Sequence, residues 1–233
     1  MQFAVKHQPA YSLAVAMLDP GEVVHAECGA MVGMSAGVTL DTGAQGGLLQ
    51  SLARTAMGQS FFLNTFRAPS GGGEVLLAPA LPGDIRALTL CRDESLLMCP
   101  GSYLASSAGI AFEVGWGGVG TAVAGQGFFL LRVSGPGILV LSSYGAIQEI
   151  DLNQGDGYTI DTGHLVGFSD GMGFKVRPAG SVKATLFSGE GLVIDLAGPG
   201  RILLQTRNEA ALLAWLAAKL RGVKQSNGGE HGG

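Results

Sequence analysis

Charge is scarce in this chain of 233 residues: Asp, Glu, Lys and Arg supply 14% of it, against about 25% in ordinary soluble proteins. No run of Lys or Arg occurs, and 14 basic residues stand against 18 acidic ones. That balance gives no electrostatic footprint for nucleic acid or for an anionic membrane. Cysteine is scarce too, and Cys28, Cys91 and Cys99 form an odd, scattered set, unlike the framework of a disulfide-stapled secreted domain. With no apolar leader in residues 1–7, they point to a reducing, cytoplasmic compartment. Long apolar runs are missing: nothing approaches the roughly 20 residues a spanning helix needs. The expectation is a soluble protein, at most peripheral to a membrane.

Glycine, by contrast, is plentiful, with 39 residues, where about 7% is the usual share. Each Gly in a helix interior costs about 1 kcal/mol relative to Ala, which excludes a long helical bundle. The hydrophobic content of 47% excludes a disordered chain. The glycines lack the every-third-residue period of collagen. Short strands joined by tight turns remain.

Three segments align with one another. Gly29-Ala30-Met31-Val32-Gly33-Met34-Ser35-Ala36-Gly37 matches Gly101-Ser102-Tyr103-Leu104-Ala105-Ser106-Ser107-Ala108-Gly109, and both match Gly163-His164-Leu165-Val166-Gly167-Phe168-Ser169-Asp170-Gly171. Glu22, Glu94 and Asp156 fall in register ahead of them, and Gly135-Pro136-Gly137 recurs as Gly198-Pro199-Gly200. Each unit therefore reads as four or more short strands with Gly and Pro turns. Several strands are apolar on both faces, which belongs between two layers or at a subunit contact. A unit of this size buries too little alone, so the three must share one body. The expected fold is all-β: a barrel or sandwich array of three repeated units, at about 1–80, 81–143 and 144–206, with internal pseudo-threefold symmetry. Residues 48–57 have helical spacing. A clearer helix is expected over 208–221, capped by Asn208, ended by Gly222 and docked on the β body or on a neighbour through Leu212, Leu213, Leu216 and Leu220. The tail over 223–233 reads as disordered.

Motifs that look chemical give way to structural readings. Ser35 and Ser169 each satisfy G-x-S-x-G, yet a strand pattern follows each Ser where a nucleophile elbow needs a helix. Ser107 occupies the matching place in the second unit, so the pattern reads as a repeated turn. Residues 115–120 satisfy G-x-G-x-x-G but lack the following helix and the acid about 20 residues later. His25 and Cys28 have no second close pair with which to hold zinc. Asp151, Asp156, Asp161 and Asp195 form a carboxylate group on paper, but Asp156 aligns with Glu22 and Glu94, which suggests a turn role. The aromatic pairs Phe61-Phe62 and Phe128-Phe129 lack the neighbouring basic residues of a single-strand binder. No residue is assigned as catalytic, cofactor-binding or metal-ligating, and no cofactor is expected.

Read in order, Leu18-Asp19-Pro20-Gly21-Glu22, Gly58-Gln59-Ser60-Phe61-Phe62-Leu63, Leu81-Pro82-Gly83-Asp84-Ile85, Gly101-Ser102-Tyr103-Leu104-Ala105, Asp161-Thr162-Gly163-His164-Leu165-Val166 and Gly198-Pro199-Gly200 through Gln205-Thr206-Arg207 resemble the family of altered inheritance of mitochondria protein 24. The resemblance runs from about Leu18 to Trp215. It departs at Gln59, where Glu is usual, and at Cys28, where Pro is common. It implies three units like the tryptophan RNA-binding attenuator protein, each a double-stranded β-helix-like sheet pair, without implying binding of RNA or tryptophan. The family lacks an established enzymatic activity, and its fungal members are associated with mitochondrial inner-membrane organisation. The leading expectation is a non-enzymatic scaffold, a homo-oligomer with a trimer favoured, presenting β surfaces to protein partners or a membrane periphery, in membrane-associated organisation or a stress response. Nucleic acid is not expected as a partner. Two other readings stand: a small-molecule or lipid-binding module with a cavity near His164 or Tyr144, and a hydrolase in which Ser169, His164 and an Asp converge.

Overall fold

The computed structural model describes residues 1–41, 63–114, 128–180 and 191–226. After β1 (Gln2–Lys6), the first stretch of chain forms β2 (Leu13–Leu18), β3 (Val23–Glu27), β4 (Met31–Met34), β5 (Thr39–Asp41), β6 (Leu63–Arg67) and β7 (Gly73–Leu77). The second forms β8 (Ile85–Leu90), β9 (Ser95–Met98), β10 (Tyr103–Ser107), β11 (Ala111–Val114), β12 (Leu131–Ser134) and β13 (Gly137–Ser142). The third forms β14 (Ile147–Leu152), β15 (Gly157–Asp161), β16 (Leu165–Ser169), β17 (Gly173–Pro178), β18 (Leu192–Ala197) and β19 (Gly200–Gln205). The helical expectation over 48–57 and the glycine motif at 115–120 lie outside the described residues.

The strands form four open sheets, so the barrel alternative is set aside. The end sheets are β1-β2-β7-β4 and β15-β18-β17; the middle ones are β5-β6-β3-β10-β13-β8 and β11-β12-β9-β16-β19-β14. Each middle sheet splices strands from two consecutive stretches, through the antiparallel pairs β3–β10 and β9–β16. The order β2-β7-β4 returns as β8-β13-β10 and β14-β19-β16. Within it the register slips at one matching place: between Met31 and Gly33, Tyr103 and Ala105, Leu165 and Gly167. Val32, Leu104 and Val166 are the extra residues that these bulges insert. The matching glycines differ locally. Gly29 sits in a turn at φ +89°, whereas 101 and 163 lie in short 3₁₀ helices, Pro100–Ser102 and Thr162–His164. Pro100 supplies the fixed φ that opens one, and the Asp161 carboxylate accepts from the Gly163 amide at 2.8 Å in the other.

Three apolar clusters fill the spaces between successive sheets. Along β13, Val140 enters the first cluster while Leu139 and Leu141 enter the second. Along β9, Leu96 and Met98 enter the second and Leu97 the third. The inner strands β9, β10, β13 and β16 of the middle sheets are thus buried on both faces, which is why they lack clean alternation. Each fully buried Leu contributes about 1.5–3 kcal/mol.

The C-terminal helix α1 (Glu209–Ser226) departs from expectation at its end and on its surface. Asn208 does cap it: its Oδ1 accepts from the amides of Ala210 at 2.9 Å and Ala211 at 3.4 Å. Gly222 does not end it, because an interior Gly costs only about 1 kcal/mol and the helix-forming Lys224 and Gln225 follow; the first residues of the expected disordered tail are therefore helical. Nor does the apolar stripe dock on the sheets, since Leu213, Leu216 and Leu220 remain exposed beside Trp215. Among the described residues no helix is long and apolar enough to cross a membrane.

Candidate functional site

The serines of the G-x-S-x-G pattern fasten strands. Ser35 Oγ accepts from the Glu74 amide at 3.0 Å, Ser107 Oγ from Ile138 at 2.8 Å and Ser169 Oγ from Arg201 at 3.0 Å. Each serine ends or follows the inner strand of its turn and grips the amide of the second residue of the partner strand. Gly37 and Gly171 then hold φ of +88° and +90°, a left-handed conformation that L side chains adopt only under strain. His164 precedes β16 and Ser169 ends it, so the two lie about 15 Å apart at strand rise. The His164 ring nitrogen instead meets the Gln205 carbonyl at 2.8 Å.

The acidic residues are also spent on the backbone and on ion pairs. Glu22, Glu94 and Asp156 each accept the amide three residues earlier, from Asp19, Cys91 and Asn153, at 2.8, 2.7 and 2.8 Å. Asp151 takes a two-pronged contact from Arg201 at 2.6 and 3.1 Å. That hydrogen bonding holds its carboxyl below the ordinary range. Asp195 does the same with Arg177 at 2.6 and 3.0 Å and accepts from Thr159 at 2.7 Å, and it is likewise lowered. Asp161 serves the 3₁₀ turn already described. His25 meets Thr65 Oγ1 at 3.1 Å, and the Cys28 thiol points to Asn64 Oδ1 at 3.5 Å. Burial lowers the His25 pKa. Among the described residues, no group of three or more His, Cys, Asp and Glu is placed to hold a metal ion. Sequence reading missed Asp84, buried where the first two stretches meet. Its Oδ1 accepts from Gln8 at 2.9 Å, Ser12 at 3.2 Å and the Ile85 amide at 2.8 Å. The signal lay in the Pro-Gly-Asp turn, an arrangement that favours a side chain bonding nearby backbone.

A cavity of about 430 Å³ opens where the three stretches and the start of α1 meet. Glu27, Cys99, Ser102, Tyr144, Leu165 and Gln205 are among its lining. Gln205 ties it together, accepting from the Tyr144 amide and donating to the Gly163 carbonyl, both at 2.9 Å. Burial raises the pKa of Glu27 and pushes the Cys99 thiol up to about 12.

A second surface is defined by apolar exposure. On β4, Met31, Val32 and Met34 are 39%, 59% and 40% exposed. Leu40 beyond it and Met17 on β2 are exposed as well. The strand bonds to β7 on one side, and among the described residues no strand pairs with its other backbone edge. In the last sheet β15 likewise bonds only β18 among the described residues, and Tyr158 stands 43% exposed.

Comparison with known proteins places these features in a family. An uncharacterized protein of Streptococcus pyogenes serotype M6 is 29% identical over 217 residues, spanning 89% of this chain and 86% of that one. An X-ray crystal structure of a Streptococcus pyogenes protein superposes with a TM-score of 0.76 at 28% identity, covering 95% of this chain and 99% of that one. The family model described as Mitochondrial biogenesis AIM24 matches residues 3–207, and the chain belongs to that family.

Proposed function

We propose that the protein is a non-enzymatic scaffold, a homo-oligomer whose chain is three copies of one sheet module related by a pseudo-threefold repeat. Cytoplasmic placement, with contact to a membrane periphery, follows from the same reading. The observation that carries it is the exposed apolar strand β4, with Val32 at 59%; charge-poor apolar surface of this kind is what subunit contacts bury. The triple use of Ser35, Ser107 and Ser169 as amide acceptors supports a structural purpose for the residues that resemble a catalytic motif. Light scattering behind size exclusion tests the reading at tens of micromolar. A mass of several chains is expected, three on the trimer reading. A mass of one 23.8 kDa chain refutes it.

The cavity beside Tyr144 favours a second reading, a small-molecule or lipid-binding module, because concave sites with a few converging polar groups are where ligands settle. Native mass spectrometry on protein purified from its own cells would then show a small molecule that leaves on unfolding. A bare chain mass under gentle ionisation opposes this reading.

A further inference from the structure

We infer that β4 of one copy pairs with β15 of a second copy, continuing between chains the seam that joins sheets within the chain. The inference rests on the self-association reading above and specifies its contact. Within the chain the seam is made twice with one register. Ala105, Ser106 and Ser107 face Ala26, His25 and Val24 across β10–β3; Gly167, Phe168 and Ser169 face Met98, Leu97 and Leu96 across β16–β9. By position relative to the shared bulges, β4 matches β10 and β16. By pairing to β18, β15 matches β3 paired to β6 and β9 paired to β12. Among the described residues each of these two end strands keeps a free edge, and each is what the other lacks.

Exposure marks the missing partner on both sides. Val32 is 59% exposed, whereas its counterparts Leu104 and Val166 are fully buried. Each counterpart sits in the apolar core of the preceding stretch: Leu104 with Val24 and Phe66, Val166 with Leu96 and Val133. Met31 and Met34 are 39% and 40% exposed, against at most 2% for Tyr103, Leu165, Ser106 and Phe168. On the other edge Tyr158 is 43% exposed, against 0% for Val24 and 7% for Leu96. Docking β4 on β15 carries Val32 toward the core that holds Ile160, Ile194 and Leu196. The register follows from the two internal seams: Gly33 opposite Ile160, Met34 opposite Thr159, Ser35 opposite Tyr158. Main-chain hydrogen bonds supply affinity in such strand addition, and the alternating side chains supply register. The contact joins unlike surfaces, so copies assemble head to tail, into a ring where the rotation closes.

Two full-length proteins test this, each in a Cys28→Ser, Cys91→Ser background, one carrying Met34→Cys and the other Thr159→Cys. Cys99, half-buried, stays in both proteins, and each protein oxidised alone reads whatever background it gives. Mixed and oxidised with copper phenanthroline, they are expected to give a disulfide-linked dimer at least tenfold above the yield of either protein alone. Val32→Lys, a change at an exposed side chain, is expected to abolish the link and to reduce the light-scattering mass to one chain. Linkage of Met34→Cys to itself, or linkage only within a doubly substituted chain, overturns the inference. A persistent multimer that neither links nor responds to Val32→Lys overturns it too, while leaving self-association standing. A monomeric unaltered protein removes both.

Discussion

Replacing Ser107 by Ala removes the acceptor that the Ile138 amide meets at 2.8 Å. The site is half-buried, so water replaces the lost oxygen only in part. A neutral hydrogen bond contributes about 0.5–1.5 kcal/mol net, and an unpaired buried donor costs about 1–3 kcal/mol. Ser107→Ala should therefore destabilise the fold by about 1.5–2 kcal/mol. Ser169 binds the Arg201 amide in a more open setting, where solvent can take over, and Ser169→Ala should cost about 0.5 kcal/mol. With a urea slope of about 3 kcal/mol/M for a body of this size, the first change moves the midpoint by about 0.5–0.7 M and the second by under about 0.2 M. Far-ultraviolet circular dichroism reads both, at one protein concentration so that association does not shift the comparison. Ser107→Thr, which keeps the hydroxyl, should recover most of the loss. Equal and negligible shifts for both alanine variants, or a threonine variant as weak as alanine, would refute the strand-fastening role.

Acid should unfold the protein in two stages. Burial lowers the His25 pKa below its ordinary 6.5, so its contribution is present above that value and lost as pH falls through the lower folded one. Asp170 follows at lower pH: burial pushes it up, but hydrogen bonds from Ser95 and Arg132 outweigh this and leave it below 3.8. Asp151 and Asp195 are lowered as well, chiefly by their arginines. Urea midpoints should be flat from about pH 6.5 to about pH 8 and fall most steeply below about pH 4, and Asp170→Asn should flatten the steep limb; an unchanged limb counts against the pairing. Thiol reactivity gives an independent reading. Cys28 and Cys91 are exposed, while Cys99 is half-buried and burial pushes its thiol up to about 12, so Ellman's reagent should titrate two thiols quickly in the native protein and the third much more slowly, at full rate only in denaturant.

The recurring turns were readable because their signals are local. A side-chain carboxylate accepting the amide three residues back fixes a turn on its own, so Glu22, Glu94 and Asp156 align in the letters and in the hydrogen bonds alike. The same holds for Ser35, Ser107 and Ser169. What was not readable depends on contacts far along the chain. The Gly-centred segments near 29, 101 and 163 look equivalent in sequence, yet only the second begins with Pro100 and only the third has Asp161 to close it, and both become 3₁₀ turns. The reach of α1 past Gly222 is a balance of small helix propensities, too fine for pattern to decide. Its undocked stripe illustrates a further limit: apolar periodicity says that a face needs covering and is silent about which surface covers it. The Gln205 bridge that shapes the cavity depends on strand pairing across the third stretch.

The edges of the sheets differ in a way that bears on self-association. An unpaired strand edge invites pairing with another chain, and proteins discourage this with charge or proline. Edge strand β17 carries Lys175, Arg177 and Pro178; β14 carries Glu149 and Asp151; β8 carries Arg86; β1 carries Lys6; β5 and β11 carry Asp41 and Glu113. Strand β4 is Met31-Val32-Gly33-Met34 and carries neither charge nor proline. In β15 the single charge, Asp161, falls outside the residues 158–160 that the seam register would use. Charge is thus spent on the edges that must stay alone and withheld from the two that match each other. A chain selected only to avoid aggregation would protect β4 as it protects β17, because three exposed apolar residues and a half-buried glycine on such an edge form a short pairing template. The bare edge makes physical sense when a second copy covers it.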